Sequence, residues 1–204
     1  MNFEIYHKIT FDALYACIAL ALFVIFERAL YLAFLSIRAR RVRRLIDGAQ
    51  AGGRAGLEDL ATSDPISAAI ARYVRLTAQL GTSRAELEDQ SSALYIEVDA
   101  KVSARLWVLD TIVTAAPLLG LLGTILGIMQ TFTSLSKGGI SDPGEVSRGI
   151  GLALIATAIG IATALLGLLG HNVLERRAHT LTESFKTYLL RLTALPRGAP
   201  RTAP

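Results

Sequence analysis

Read for hydrophobic and polar positions alone, the chain alternates three long apolar stretches with charged segments. Residues 111–136, TIVTAAPLLGLLGTILGIMQTFTSLS, form the longest stretch free of ionisable side chains, and their 26 positions exceed the roughly 20 that a helix needs to cross a bilayer. A second such stretch covers residues 149–170. The first apolar run covers residues 9–26, is broken by Asp12, and resumes after Glu27 and Arg28 as far as residue 37. The pattern predicts an all-α, polytopic membrane protein with transmembrane helices over residues 9–37, 110–136 and 147–173.

Residues 38–109 are polar and mixed in charge and show no strand pattern. A glycine-rich break lies at 48–56, a helix-start signal at Ser63-Asp64-Pro65, and Ser83 with Glu86 makes a capping box. That box opens a helix with apolar Leu87, Leu94, Val98 and Val102. This segment reads as a cytoplasmic helical hairpin whose second arm runs without interruption into the second span, so that two of the three membrane helices extend into a stalk. Residues 137–146, rich in Gly and Pro, read as a short outer loop. Residues 174–204 read as an amphipathic C-terminal helix followed, from Pro196, by a tail too rich in Pro, Arg and Ala to fold.

The two central spans share a design. On a helical projection of about 100° per residue, Ala116, Gly120, Gly123 and Gly127 fall within a sector of roughly 60°, with Thr124 beside it. Gly149, Ala153, Ala156, Gly160 and Gly167 do the same in the third span, with Thr157 beside them. Each glycine costs helix propensity, which a simple anchor has no reason to bear. A stripe of small residues lets another helix approach closely, and lipid offers spans no hydrophobic drive to associate by other means. Both helices therefore read as packed spans with a hydroxyl near the seam.

Composition agrees: 52% of residues are hydrophobic and 19% charged, and the mean hydropathy is +0.45. The single cysteine, Cys17, excludes an internal disulfide and reads as a buried apolar filler. Arg38, Arg40, Arg41, Arg43 and Arg44 crowd the end of the first apolar run. Beside a span, such a cluster is a topology signal rather than a nucleic-acid patch, and it sets the N-terminus (residues 1–8) outside. Arg176 and Arg177 return the C-terminus to the cytoplasm. No basic segment precedes the first run, which is expected to be a span and not a cleaved signal. Glu27 and Arg28 read as paired charges at the inner interface. His7 and His179 lie outside the expected spans, and His171 continues the third-span seam as an interfacial histidine.

No nucleophile set, acid pair or metal-ligand spacing sits where catalysis would need it, so no enzyme activity, metal or cofactor is expected. Two threonines and some glycines are also too little for a transporter of large polar solutes. They suffice to line a narrow hydroxyl-bearing cavity into which another polypeptide brings an ionisable group.

AAPLLGLLGTILGIMQTF (residues 115–132) and GIGLALIATAIGI (149–161) resemble the MotA/TolQ/ExbB proton channel family, closest to its ExbB and TolQ branch. Phe26-Glu27-Arg28 is similar to the ending of that family's first span. The resemblance covers residues 9–190. It implies an inner-membrane subunit with a periplasmic N-terminus and a cytoplasmic C-terminus, in a homopentamer around the span of a single-pass ExbD/TolR-like partner. In that family the partner supplies a proton-carrying aspartate, and the complex couples the proton-motive force to a TonB- or TolA-like protein. Thr124 and Thr157 match the family's pore-facing threonines, so the resemblance makes them partners for that aspartate or for a water chain. A threonine that only bonds back to its own helix carbonyl is the plainer reading.

Two positions depart from the family. Leu152 stands where a glutamate is usual, and Ala164-Leu165-Leu166 replaces a frequent Ile-Pro. Neither pore-lining span then offers an acid, and any carboxylate must come from the partner. The alternative is a non-conducting helical scaffold that uses the seams only for assembly. A flagellar stator subunit fits less well, because that branch has four spans.

Overall fold

A computed structural model describes residues 3–52, 64–78, 83–138 and 143–194. They form five helices: α1 (Phe3–Gly52), α2 (Pro65–Ala78), α3 (Arg84–Val102), α4 (Leu106–Gly138) and α5 (Pro143–Ala194). No strand occurs among the described residues. Three of the helices are long and apolar enough to cross a membrane, over Ile5–Gly48, Leu106–Thr133 and Val146–Thr193. The all-α, three-span reading therefore holds.

By internal contacts the chain divides into two units. One comprises Met1–Arg28 and Arg105–Leu174, and the other Ala29–Ala104 and Glu175–Pro204. The first unit holds the apolar part of α1, all of α4 and the first part of α5. It buries Leu14, Ala21 and Val24 with Leu109, Ile112, Ala116, Ala153 and Ala156. Pro117 lies inside α4 without ending it, as membrane helices tolerate where neighbours re-satisfy the freed carbonyl.

In the second unit the end of α1 packs with α2, α3 and the end of α5. Leu32, Leu35, Val42 and Ile46 are buried together with Ile70, Tyr73, Leu94, Val98, Phe185 and Leu192. The Asp64 carboxylate accepts from the Ser67 amide at 2.8 Å, capping α2 ahead of Pro65, and faces Arg38 at 3.5 Å. Ser83 and Glu86 form the expected capping box. The Tyr73 and Thr193 hydroxyls bond at 2.6 Å, and Arg191 donates to Asp47 at 2.8 Å.

The expected continuity between the hairpin and the second span is not formed. α3 stops at Val102, where the Ser103 amide bonds the Asp99 carbonyl, and α4 opens at Leu106. Arg105 between them has φ 66°, the one non-glycine positive φ among the described residues. A side chain there costs roughly 1–2 kcal/mol, and this residue makes an ion pair described below. The helices that extend beyond their apolar stretches are therefore the first and the third. α5 runs through the expected boundary at residue 174 as one helix, and α1 continues over Gly48 to Gly52. Residues 53–56 of the expected glycine break, 139–142 of the outer loop, and the tail from 195 onward lie outside the described residues. Cys17 is half-buried and not a core filler.

Candidate functional site

The small-residue stripes of α4 and α5 meet each other within the one chain. A methyl on Gly120 would lie 2.9 Å from the Ala156 carbonyl oxygen and 3.2 Å from the Gly160 Cα. On Gly160 it would lie 2.6 Å from the Ala116 carbonyl oxygen. Cβ atoms at Gly123 and Gly127 would each lie 2.8 Å from a methyl, of Ala156 and Ala153 respectively. Gly149 faces the Thr131 hydroxyl, and Gly167 faces Val113, where an added Cβ would lie 3.2 Å from the valine Cγ2. All nine predicted seam residues thus share one close helix crossing, with Ala116, Ala153 and Ala156 fully buried.

This approach brings the two flanking threonines together. The Thr124 and Thr157 hydroxyls are in direct hydrogen-bond contact. Thr124 also reaches the Gly120 carbonyl of its own helix and the Ala153 carbonyl of α5, both at 3.1 Å. Thr157 reaches across to the Gly120 carbonyl at 3.2 Å. Simple back-bonding therefore describes neither residue fully, since both engage the opposite helix. Both side chains are half-buried, so one flank of the pair remains open in the chain.

The chemistry of the pair follows from counting protons. Two hydroxyls carry two protons, while the two carbonyls and the hydroxyl oxygens offer more acceptor sites than that. An arriving carboxylic acid can donate its proton to a threonine oxygen. An arriving carboxylate can instead accept from a threonine hydroxyl turned outward. The pair thus serves both protonation states of an acid without bringing a charge of its own.

Three groups missed in the sequence reading join this unit. Thr10 of α1 is buried, bonds the Tyr6 carbonyl at 2.9 Å and places its methyl 3.4 Å from a Cβ at Gly123. His7, expected outside the spans, packs on Phe11 at 4.9 Å between centroids, and its Nε2 lies 3.4 Å from a Cβ at Gly127. The third is Arg105, which donates to Glu27 at 3.0 Å, while Arg28 approaches the same carboxylate at 3.2 Å. Arg28 is buried, and a buried charge requires such pairing. The expected Glu27–Arg28 pair is thus present within a three-charge group. Leu152, where the resemblance would place a glutamate, is exposed on α5 and takes no part in the seam.

The profile of the MotA/TolQ/ExbB proton channel family matches residues 61–187. The chain is similar to the biopolymer transport protein ExbB of Helicobacter pylori, 39% identical over 95 residues, which cover 45% of this chain and 66% of that protein. It is similar to ExbB of Aquifex aeolicus, 37% identical over 81 residues, or 40% of this chain and 55% of that one. It is also similar to the Tol-Pal system protein TolQ of Haemophilus influenzae, 31% identical over 115 residues, or 56% and 48% of the two chains. In each case the chain spans less than two thirds of the relative's length.

Proposed function

The chain belongs to the MotA/TolQ/ExbB proton channel family, and from that premise we propose that it is an ExbB/TolQ-like subunit of a proton-driven motor in the bacterial inner membrane. It works without catalysis or cofactor, as the wall of a proton path in a homo-oligomer, a pentamer by analogy. Its N-terminus is periplasmic and its C-terminus cytoplasmic. A single-span ExbD/TolR-like partner carries the proton on an aspartate, and the complex does work on a TonB- or TolA-like protein.

The observation that carries this reading is the Thr124–Thr157 contact at the α4–α5 crossing, in two spans that hold no acid over residues 111–136 and 149–170. A path wall needs hydroxyls that can both donate and accept. Gly120 and Gly160 supply the close approach that sets two of them together. Glu27, Arg28 and Arg105 group away from the pair, at the arginine-rich end of the first apolar run, where interfacial charges are least costly.

The scaffold alternative draws on the same seam: its small residues are already occupied in packing α4 on α5 and need no channel to explain them. Native mass spectrometry of the chain co-expressed with a single-span, aspartate-bearing protein from the adjacent reading frame tests the assembly. Several copies of the chain retaining that partner are expected. A monomer, or an oligomer that leaves the partner behind, would overturn the proposal.

A further inference from the structure

The second unit leaves two apolar surfaces uncovered. One is a ridge on α1: Phe34, Ile37, Arg41 and Arg44 are exposed, Phe34 by 51% and Ile37 by 68%. At about 100° per residue this ridge lies opposite the buried face of Leu35, Ala39, Val42 and Ile46, and the Arg38 guanidinium lies 4.5 Å over the Phe34 ring while Ile37 stays exposed. The other is a groove of about 400 Å³ between α3 and the end of α5, lined by Glu88, Tyr95, Ile96, Lys186 and Leu190. Ile96 and Leu190 are 68% and 64% exposed there.

Lipid does not suit the ridge. Ile37 lies nine residues, or about 14 Å, past Arg28 along α1. A bilayer reaching Ile37, the end expected for the first span, would draw Glu27, Arg28 and Arg105 that far into hydrocarbon, where charges are costly, so on this inference the crossing part of α1 ends near Arg28.

We propose that a second copy of the chain covers both surfaces, with the α1 ridge of one copy seated in the α3–α5 groove of the next. This rests on the homo-oligomeric reading above. Such a contact joins different patches on the two copies, and contacts of that kind close into a ring where the rotation from copy to copy closes and run on as a filament where it does not. A ring whose axis runs along the end of α1 also requires the two patches to lie at one height along that helix.

They do. Tyr95 donates to Glu183 at 3.2 Å and lies under Lys186, tying residue 95 to 183–186 of α5. Arg191 donates to Asp47, tying residue 191 of α5 to residue 47 of α1. α1 and α5 enter this unit at residues 29 and 175 and run the same way, so Tyr95 stands level with about residues 39–42 of α1. α3 runs the opposite way, back toward Arg105. Ile96 is then level with Ile37, and Glu88 with Arg44, to within about one helical turn. Ile37 thus meets Ile96 and Arg44 meets Glu88, while Lys186 of the groove falls level with Arg41 and adds no attraction there.

The test is site-specific cross-linking of the full chain in native membranes, with the single native cysteine, Cys17, changed to serine. Differently tagged Ile37→Cys and Ile96→Cys copies, expressed together, are expected to give a mixed dimer on bismaleimide treatment. The doubly substituted chain should give a ladder, and either single substitution alone should give nothing. Ile37→Cys cross-linking to itself would overturn the ridge-in-groove contact, as would quenching by brominated lipid of a fluorophore attached at that site. No 37–96 product from particles that hold several copies by native mass would overturn this interface and leave the oligomer standing. Monomeric particles would overturn both.

Discussion

Gly160→Leu is expected to unseat α4 from α5 and to lower stability by at least ~3 kcal/mol, the upper range for overpacking a filled site. The reason is what the new side chain meets. Its Cβ alone would lie 2.6 Å from the Ala116 carbonyl oxygen and 3.0 Å from the Gly120 Cα. Both are backbone, and backbone cannot swing aside as a flexible side chain can. The whole crossing would have to open, which also separates Thr124 from Thr157. Gly151 is the matched control. It lies on the same helix, and a Cβ there meets nothing within 4 Å. Gly151→Ala should stay within about 1 kcal/mol of wild type, on the stabilising side if helix propensity decides. Unfolding of the detergent-solubilised chain in mixed micelles, followed by circular dichroism, measures both.

Thr124→Val and Thr157→Val should act on conduction and spare the fold. Valine keeps the shape and removes only the hydroxyl. The Gly120 and Ala153 carbonyls that lose a side-chain donor are within α4 and α5 and keep their helical bonds. Hydrogen bonds between membrane helices contribute only about 0.6 kcal/mol on average, so assembly should persist. A bond to a charged carboxylate is worth roughly 1.5–3 kcal/mol, so each substitution should slow partner-dependent proton flux about ten- to a hundredfold. Thr157→Ser, which restores a hydroxyl, should recover most of it. Full activity in both valine variants would remove these residues from the path.

The sequence announces local events well and distant ones poorly. Helix ends set by neighbouring residues are legible: Asp64 before Pro65, and Ser83 with Glu86, cap α2 and α3 as their spacing predicts. The seam is legible as a face, because periodicity places Gly120, Gly123 and Gly127 together. Its partner is not, because a stripe of small residues suits any helix of like shape. Only the fold joins Thr124 to Thr157, 33 positions away. The break before α4 carries no glycine or asparagine at its left-handed residue. Arg105 pairs there with Glu27, 78 positions distant, a pairing that no local pattern records. The persistence of α1 over Gly48 has a similar origin. The cost of a glycine, about 1 kcal/mol, is offset by burial of Val42 and Ile46 within the two preceding turns.

The same distinction shapes the functional reading. Residues 111–136 and 149–170 hold hydroxyls and no acid, and Leu152 is exposed where the family resemblance would place a glutamate. On the proposed function, the chain lines a path for protons and the titrating group arrives on another polypeptide.

Proton flux into liposomes tests that division of labour most directly, measured with an internal pH dye under an imposed gradient. The chain together with its single-span, aspartate-bearing partner should conduct. The chain alone, the partner alone, and the chain with a partner whose span aspartate is changed to asparagine should all be silent. Flux from the chain alone, or undiminished flux with the asparagine partner, would contradict the account.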